Sequence, residues 1–325
     1  MDVIVGVDVG GTNTVIGVFN TAFTLIKKKS VPTLISQEES YYDFFEFLTL
    51  EITSLLHSID EKTTLLCAGM GVPGIVDSTN GIAHAAVNMG WTDLNFTNEM
   101  TRRLGVPTYI DNDVRIYGYG ELVAGAGKGY KDIVCVTLGT GIAACSIING
   151  NVVLGSKFFA GEIGHDTIPG EKAICKCGKQ GCLETIASAN GIARLATDAI
   201  NSGKKSLLSS IERPIRSIDV FHAAESGDEL AREVFNYVGK TLGTKLVTVA
   251  FLLNPEVMII GGGAAAAGEM LLQPIRKEFD EQYRNNFPTP IIKTGVLGDS
   301  AGLIGAAYFS YSRLKQQTNE VEKVE

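Results

Sequence analysis

The chain reads as an α/β protein of two similar halves that meet at a cleft, for three reasons. Its 325 residues exceed the roughly 250–300 that a single hydrophobic core organises. A strand, a glycine turn and a second strand recur 129 positions apart. Aligning residues 4–20 with 133–149 gives five identities in 17, at Ile4/Ile133, Val5/Val134, Val7/Val136, Gly10/Gly139 and Asn20/Asn149, and internal repetition fixes architecture. Finally, apolar strands alternate with helical patterns, and no stretch rich in Pro, Gly or Ser separates the halves as a tether.

The elements follow in order. Val3–Val7 is a strand, Asp8-Val-Gly-Gly-Thr12 a turn, and Val15–Phe19 the returning strand. Tyr41–Ser58 places Phe44, Phe45, Phe47, Leu48, Ile52, Leu55 and Leu56 on a period near 3.6, a helix. Leu65–Val72 is a buried strand stopped by Pro73-Gly74, and Thr108–Ile110 a short strand before a helix at Val114–Ala124. Ile133–Leu138 and Ile142–Ile148 flank the turn Gly139-Thr-Gly141. Ala187–Asn201 and Glu229–Leu253 are helices, the second stopped by Asn254-Pro255, because proline disfavours helix at the preceding residue. Val257–Ile260 is a buried strand running into Gly261-Gly-Gly263, and Gly302–Leu314 a last helix, followed by a polar tail expected to fray.

Hydrophobic residues make up 45% of the chain and charged residues 20%, which excludes a disordered or collagen-like protein. The net charge of −8 argues against a nucleic-acid partner. It leaves phosphate ligands open, since backbone N–H groups and helix ends bind them. The longest apolar run, Leu246–Leu253, is broken by Thr248 and falls short of the roughly 20 residues of a membrane span. No secretory pattern follows Met1, so a cytoplasmic protein is expected. Cys67, Cys135 and Cys145 sit in apolar surroundings and read as buried thiols.

Glycine, at 37 residues against 9 prolines, exceeds its usual share of about 7%, and three of its clusters end strands. Gly10 and Gly11, with Thr12, expose backbone N–H groups to an approaching anion without Cβ obstruction. Asp8 at the strand end can hold a metal ion. Gly139, Thr140 and Gly141 repeat the arrangement. Gly261, Gly262 and Gly263 allow a base or a phosphate to lie against the chain. Each turn alone serves an ordinary hairpin equally well. Together they describe a nucleotide held across the cleft, although none is a P-loop.

Asp111-Asn112-Asp113 stands between a strand and a helix. Such residues cap helices, and such a carboxylate also suits a general base for phosphoryl transfer to a hydroxyl, a reaction that needs mainly positioning and a proton acceptor. Asp113, nearest the helix, is the choice over Asp111. Cys175-Lys-Cys177-Gly-Lys-Gln-Gly181-Cys182, with His165 ten residues upstream, completes a closed tetrahedral set of the structural zinc type. Such a site would pin Glu162 and Glu184. With Asn88 and Asn112 these are the oriented acceptors that a polyhydroxylated ligand requires.

At this point the motifs Asp8-Val-Gly-Gly-Thr12, Asn112-Asp113, Leu138-Gly-Thr-Gly141, Gly161-Glu-Ile-Gly-His165 and Cys175-x-Cys-Gly-x-x-Gly-Cys-x-Glu184 resemble the ROK family of repressors and sugar kinases, in order along nearly the whole chain. The resemblance implies an actin/hexokinase-like (ribonuclease H-like) fold with duplicated α/β domains, an interdomain cleft and a structural zinc loop. The domains expected are 1–117, 118–300 with the zinc loop at 161–184, and a C-terminal helix and tail, 301–325, packing back on the first. It implies ATP with Mg²⁺ as donor and a hexose, glucose first, as acceptor. Asp113 would take the proton of the 6-hydroxyl. Gly74, Asn88, Asn112, Glu162, His165 and Glu184 would contact the sugar. His165, Cys175, Cys177 and Cys182 would bind zinc. Gly10, Gly11, Thr12, Thr140, Gly141 and Gly262 would contact the nucleotide. A homodimer or homotetramer is implied.

The chain departs from the family pattern at Ala143-Ala144, at the shortened Asn88-Met-Gly-Trp91, and at Val-Arg-Ile-Tyr after Asp113, where alanine is usual. Fructose, allose, N-acetylmannosamine and N-acetylglucosamine stay open as acceptors. The family's sugar-responsive repressors carry a winged helix ahead of the first glycine turn, whereas the first strand here starts at Val3. A chaperone or filament protein of the same fold would need neither the zinc residues nor the carboxylates beside them.

Overall fold

The computed structural model describes residues 1–33, 41–60, 62–86, 89–284 and 288–321. They form two compact units, each built on a five-stranded sheet.

Unit 1 comprises Met1–Gly129, Leu154–Phe159 and Leu297–Glu325. It opens with an antiparallel meander, β1 (Asp2–Val9), β2 (Asn13–Asn20) and β3 (Leu25–Pro32). β1 is buried on both faces and reads as a nearly continuous apolar run, as a central strand must. β3, not anticipated from sequence, is an edge strand. Its Lys27-Lys28-Lys29 breaks the apolar pattern and discourages pairing with another chain. Helix α1 (Tyr41–His57) buries Phe44, Phe45, Leu48, Ile52 and Leu55. Each such side chain contributes about 1.5–3 kcal/mol by leaving water.

β4 (Thr64–Val72) then pairs parallel to β1. The strands β5 (Ile75–Asp77), β6 (Ile82–Ala86) and β7 (Trp91–Asn95) form a separate antiparallel sheet, and α2 (Phe96–Leu104) follows. Ile75–Asp77 is only three residues long, and Ile82–Ala86 and Trp91–Asn95 lack the β-branched apolar runs that mark a strand in sequence. Trp91 is buried here, its ring 5.2 Å from that of Phe44 and 5.5 Å from that of Phe96. β8 (Thr108–Asn112) completes the main sheet and leads into α3 (Asp113–Ala124). The order is β3-β2-β1-β4-β8.

Unit 2 comprises Tyr130–Val153 and Ala160–Val296. β9 (Ile133–Leu138) and β10 (Ile142–Ile148) keep the bounds read from sequence, with a short β11 (Asn151–Val152) beyond them. The helix expected at Ala187–Asn201 is corrected. It is broken into α4 (Glu184–Ala187) and α5 (Ala189–Asn201), because Ser188 is extended and its hydroxyl accepts from Gly191 N at 3.0 Å.

After α6 (Ser217–Glu225) comes the long α7 (Glu229–Leu253), capped by Asp228 at its start and by left-handed Asn254 at its end, just before Pro255. β12 (Val257–Gly261), α8 (Glu269–Gln282) and β13 (Ile291–Thr294) complete the unit. Its sheet runs β11-β10-β9-β12-β13. Both sheets join three antiparallel strands to two parallel ones, so β1 and β9 hold the same place.

Helix α9 (Ser300–Val321) belongs to unit 1. The fraying expected from Lys315 onward is corrected: the helix continues to Val321. Leu314 packs inward, Tyr109 Oη donates to Gln317 Oε1 at 2.7 Å, and Thr318 bonds back to Leu314 O. Several glycines let this helix pack closely on its neighbours. A Cβ at Gly69 on β4 would collide with the carbonyl of Ala306, and one at Gly305 with that of Ile116 on α3, so these contacts need bare backbone. Cys67, Cys135 and Cys145 are buried and form no disulfide. No helix among the described residues is long and apolar enough to cross a membrane.

Candidate active site

In unit 1 the chemistry gathers where β8 meets α3. β8 runs past Ile110 through Asp111 and Asn112, in register with Gly71 and Val72 of β4. Asn112 caps α3. Its Oδ1 accepts from Val114 N at 3.0 Å and Arg115 N at 3.2 Å. Its Nδ2 donates to Gly74 O and to Asp113 Oδ1, both at 2.9 Å. Gly74, Asn112 and Asp113 are thereby brought together. Asp111 is committed elsewhere. It is buried, its Oδ1 lies 2.8 Å from Arg115 Nε, and it also accepts from Asn112 N at 2.7 Å. Burial pushes its carboxyl up to about 6 against the pull of Arg115. Half-buried Asp113 lies nearer the surface.

The β1–β2 turn is held by a residue that sequence reading missed. Thr33 Oγ1 donates to Gly10 O at 2.7 Å, and Thr33 N donates to Thr12 O at 2.8 Å. Gly11 stays exposed, and nothing lies within 4 Å of where its Cβ would stand. Asp8 sits at the end of β1 against Gly302 of α9. Burial, and then the charge of Asp299, push its carboxyl up to about 6. A carboxylate facing a second negative charge gains from a bound cation, so the residues fit a divalent ion. Asp299 was also missed, although an acid just before a helix is a readable signal.

This raised value has a consequence for stability. A carboxyl with a folded pKa above its unfolded value near 4 costs stability progressively as pH rises through 4 to 6. Asp8→Asn is therefore expected to raise the melting temperature at pH 7.5 by a few degrees, on the order of 2 kcal/mol. The gain should vanish below pH 4. Parallel melting curves at the two pH values check this, and an equal gain at both would contradict it.

In unit 2 the two predicted glycine turns adjoin. Gly139 N donates to Gly141 O at 3.0 Å, Ala189 N to Gly139 O at 2.9 Å, and Asn190 Nδ2 to Thr140 O at 3.1 Å. Thus α5 braces the turn. Gly261 ends β12 opposite Thr137, and Gly263 opens a short 3-10 turn. Gly262 has φ 81°, and a Cβ there would stand 2.7 Å from Leu138 N. Only glycine fits a left-handed position so close to another strand. Glu184 Oε2 accepts from Ile142 N at 3.2 Å and crowds Gly141. Ala143 lies within β10 opposite Thr137, and Ala144 is buried under Gly161.

The ligand atoms of His165, Cys175, Cys177 and Cys182 all lie within 4.8 Å of one another. Cys175 Sγ is 3.7 Å from His165 Nδ1, and Cys177 Sγ is 3.6 Å from Cys182 Sγ. His165 Nε2 faces Glu162 Oε2 at 3.7 Å, the arrangement in which a carboxylate orients a metal-bound imidazole. Three thiols and one imidazole suit a soft tetrahedral ion, zinc above all. Burial pushes the Cys175 thiol up to about 12, while the backbone N–H of Lys179 lowers that of Cys177. A bound cation favours the thiolate at each. Cys175 Sγ also faces Glu184 Oε1 at 3.5 Å. In unit 2, therefore, Glu162, His165, the cysteines, Glu184 and the Gly139–Gly141 turn form one connected chain. Asn88 lies outside the described residues.

Residues 4–312 match the profile of the ROK family. A glucokinase of Halalkalibacterium halodurans is 36% identical, over 98% of this chain and 97% of its own. Among solved structures, a ROK family glucokinase from Streptomyces griseus in complex with glucose and AMPPNP is 29% identical with a TM-score of 0.80, covering 95% of this chain and 99% of that one. A ROK family transcriptional regulator, a homologue of the Escherichia coli MLC protein, has a TM-score of 0.84 at 26% identity, over 94% of this chain and 77% of its own.

Proposed function

The chain belongs to the ROK family, and we propose from that premise that it transfers the γ-phosphate of ATP to the 6-hydroxyl of a hexose, with glucose the first candidate. The observation that carries the reading is the Gly74–Asn112–Asp113 cluster. A sugar sensor needs groups that bind hydroxyls, but only a kinase needs a carboxylate set beside them to take a proton.

In this reading Asp113 accepts the proton of the attacking hydroxyl, and Asn112 orients Asp113 while sharing the sugar with Gly74. Asn88, Glu162, His165 and Glu184 supply further sugar contacts. The Gly10–Thr12, Gly139–Gly141 and Gly261–Gly263 turns hold the nucleotide by backbone N–H groups. A magnesium ion at Asp8 would neutralise charge on the phosphates. His165, Cys175, Cys177 and Cys182 would hold a zinc ion that fixes the loop. The matching order of the two sheets supports duplicated halves. Thiol ligands suit a reducing, cytoplasmic compartment. Exposed Phe251 and Leu252 on α7 offer apolar surface for a homodimer or homotetramer.

An ADP-release assay with Mg-ATP over a panel of hexoses tests the reading. Glucose is expected to give the highest kcat/KM, with fructose, allose and the N-acetylhexosamines behind it. Turnover on none of them would end the kinase reading in favour of a sugar-responsive regulator.

A further inference from the structure

We propose that Arg115 and Asp111 act as a positioning pair that locks the base to the loop after Gly74, an inference that rests on the kinase reading above. Arg115 is the second of the residues standing where the family has alanine-rich helix. A guanidinium there has to be accounted for, because Asp111 and Arg115 are 1% and 3% exposed. Burying such a pair seldom adds net stability relative to apolar residues of the same size.

What the pair does is close a ring. Arg115 Nε meets Asp111 Oδ1 at 2.8 Å, and Arg115 Nη2 donates to Val76 O of β5 at 2.6 Å. Asp111 Oδ1 accepts from Asn112 N, and Asn112 Nδ2 reaches both Asp113 Oδ1 and Gly74 O. Gly74 is two residues from Val76. The ring therefore ties β8, the first turn of α3 and the start of β5 into one body. The two elements it joins carry the base and the residue proposed to touch the sugar. Lysine cannot replace arginine here, since one ammonium on a flexible stem does not offer the two divergent donors of a planar fork.

The test uses the Asp111→Asn/Arg115→Met double variant, which leaves no buried charge unpaired, together with Arg115→Lys. For the double variant we expect folded protein, amide exchange across residues 74–78 accelerated at least tenfold, and kcat for the hexose lowered at least tenfold. KM for ATP should be unchanged, because the ring touches no nucleotide turn. Arg115→Lys should follow the double variant although it keeps the charge. Wild-type exchange across 74–78 in the double variant overturns the proposal, as does accelerated exchange with wild-type kcat. A parent protein that phosphorylates no hexose would instead defeat the kinase reading, and the exchange result would still decide whether the pair holds the loop.

Discussion

Asp113→Ala should lower kcat for hexose phosphorylation by at least ~10²-fold, the usual contribution of a positioned general base, while hexose binding stays within a few-fold of the parent. The fold gives reason to expect a pure loss of chemistry. The cap of α3 is Asn112 Oδ1, which the substitution leaves in place. The losses include one of the two acceptors of Asn112 Nδ2 and a second acceptor for Val114 N, about 1 kcal/mol per hydrogen bond against the 5–15 kcal/mol of a typical domain. Asp111→Ala, two residues away, should fail in a different manner. It leaves the Arg115 guanidinium buried without its carboxylate, which costs about 3–5 kcal/mol, so lost stability should precede lost turnover. Steady-state kinetics with hexose titration calorimetry on the two variants separates them. Near-normal kcat in Asp113→Ala would refute the base assignment.

The contrast between these neighbours shows what could be read from sequence and what could not. The strand–turn–strand units at β1–β2 and β9–β10 were readable because runs of valine and isoleucine stop at paired glycines, a local signal. The cysteine spacing was readable because three thiols in eight positions have few other uses. Burial separates Asp113 from Asp111 in the structure, and the physical reason for that difference was not visible in the sequence. That Asp111 faces inward toward Arg115 depends on pleat direction at the end of β8, and a strand period read over three residues cannot fix it. Thr33, Asp299 and Asn190 were missed because each acts on a turn that lies far from it in sequence. The sheet of β5, β6 and β7 was missed because its strands are short and lack apolar runs such as that of β12. The polar look of residues 315–321 hid a helix end held by Tyr109, a contact spanning 208 positions.

Removing the zinc ligands should have an effect second only to loss of the base, and it should reach further. Between Gly161 and Cys182 the regular structure consists of the 3-10 turn at Ile163–His165 and two isolated bridges, Thr167–Cys182 and Ile174–Gln180. A segment with so little regular structure would draw on a bound metal for its shape, and metal binding energy would then become folding energy of the loop. Elemental analysis is expected to find one zinc per chain, and none in a folded, active sample would reject the site. Cys182→Ser, at a fully buried ligand, should lose the metal and lower kcat/KM for the hexose by at least ~10-fold, the scale on which even outer-shell changes act at metal sites. Cys67→Ser, a buried thiol outside the loop, should keep its zinc and its turnover. The loop's reach is set by Glu184, whose two oxygens face Cys175 Sγ and Ile142 N. Releasing the cysteines frees that carboxylate from one side and loosens its hold on the Gly139–Gly141 turn from the other. Cys182→Ser should therefore raise KM for ATP as well as for the hexose. A rise in the hexose KM alone would show that Glu184 stays fixed by Ile142 and that the metal acts only through His165 and Glu162.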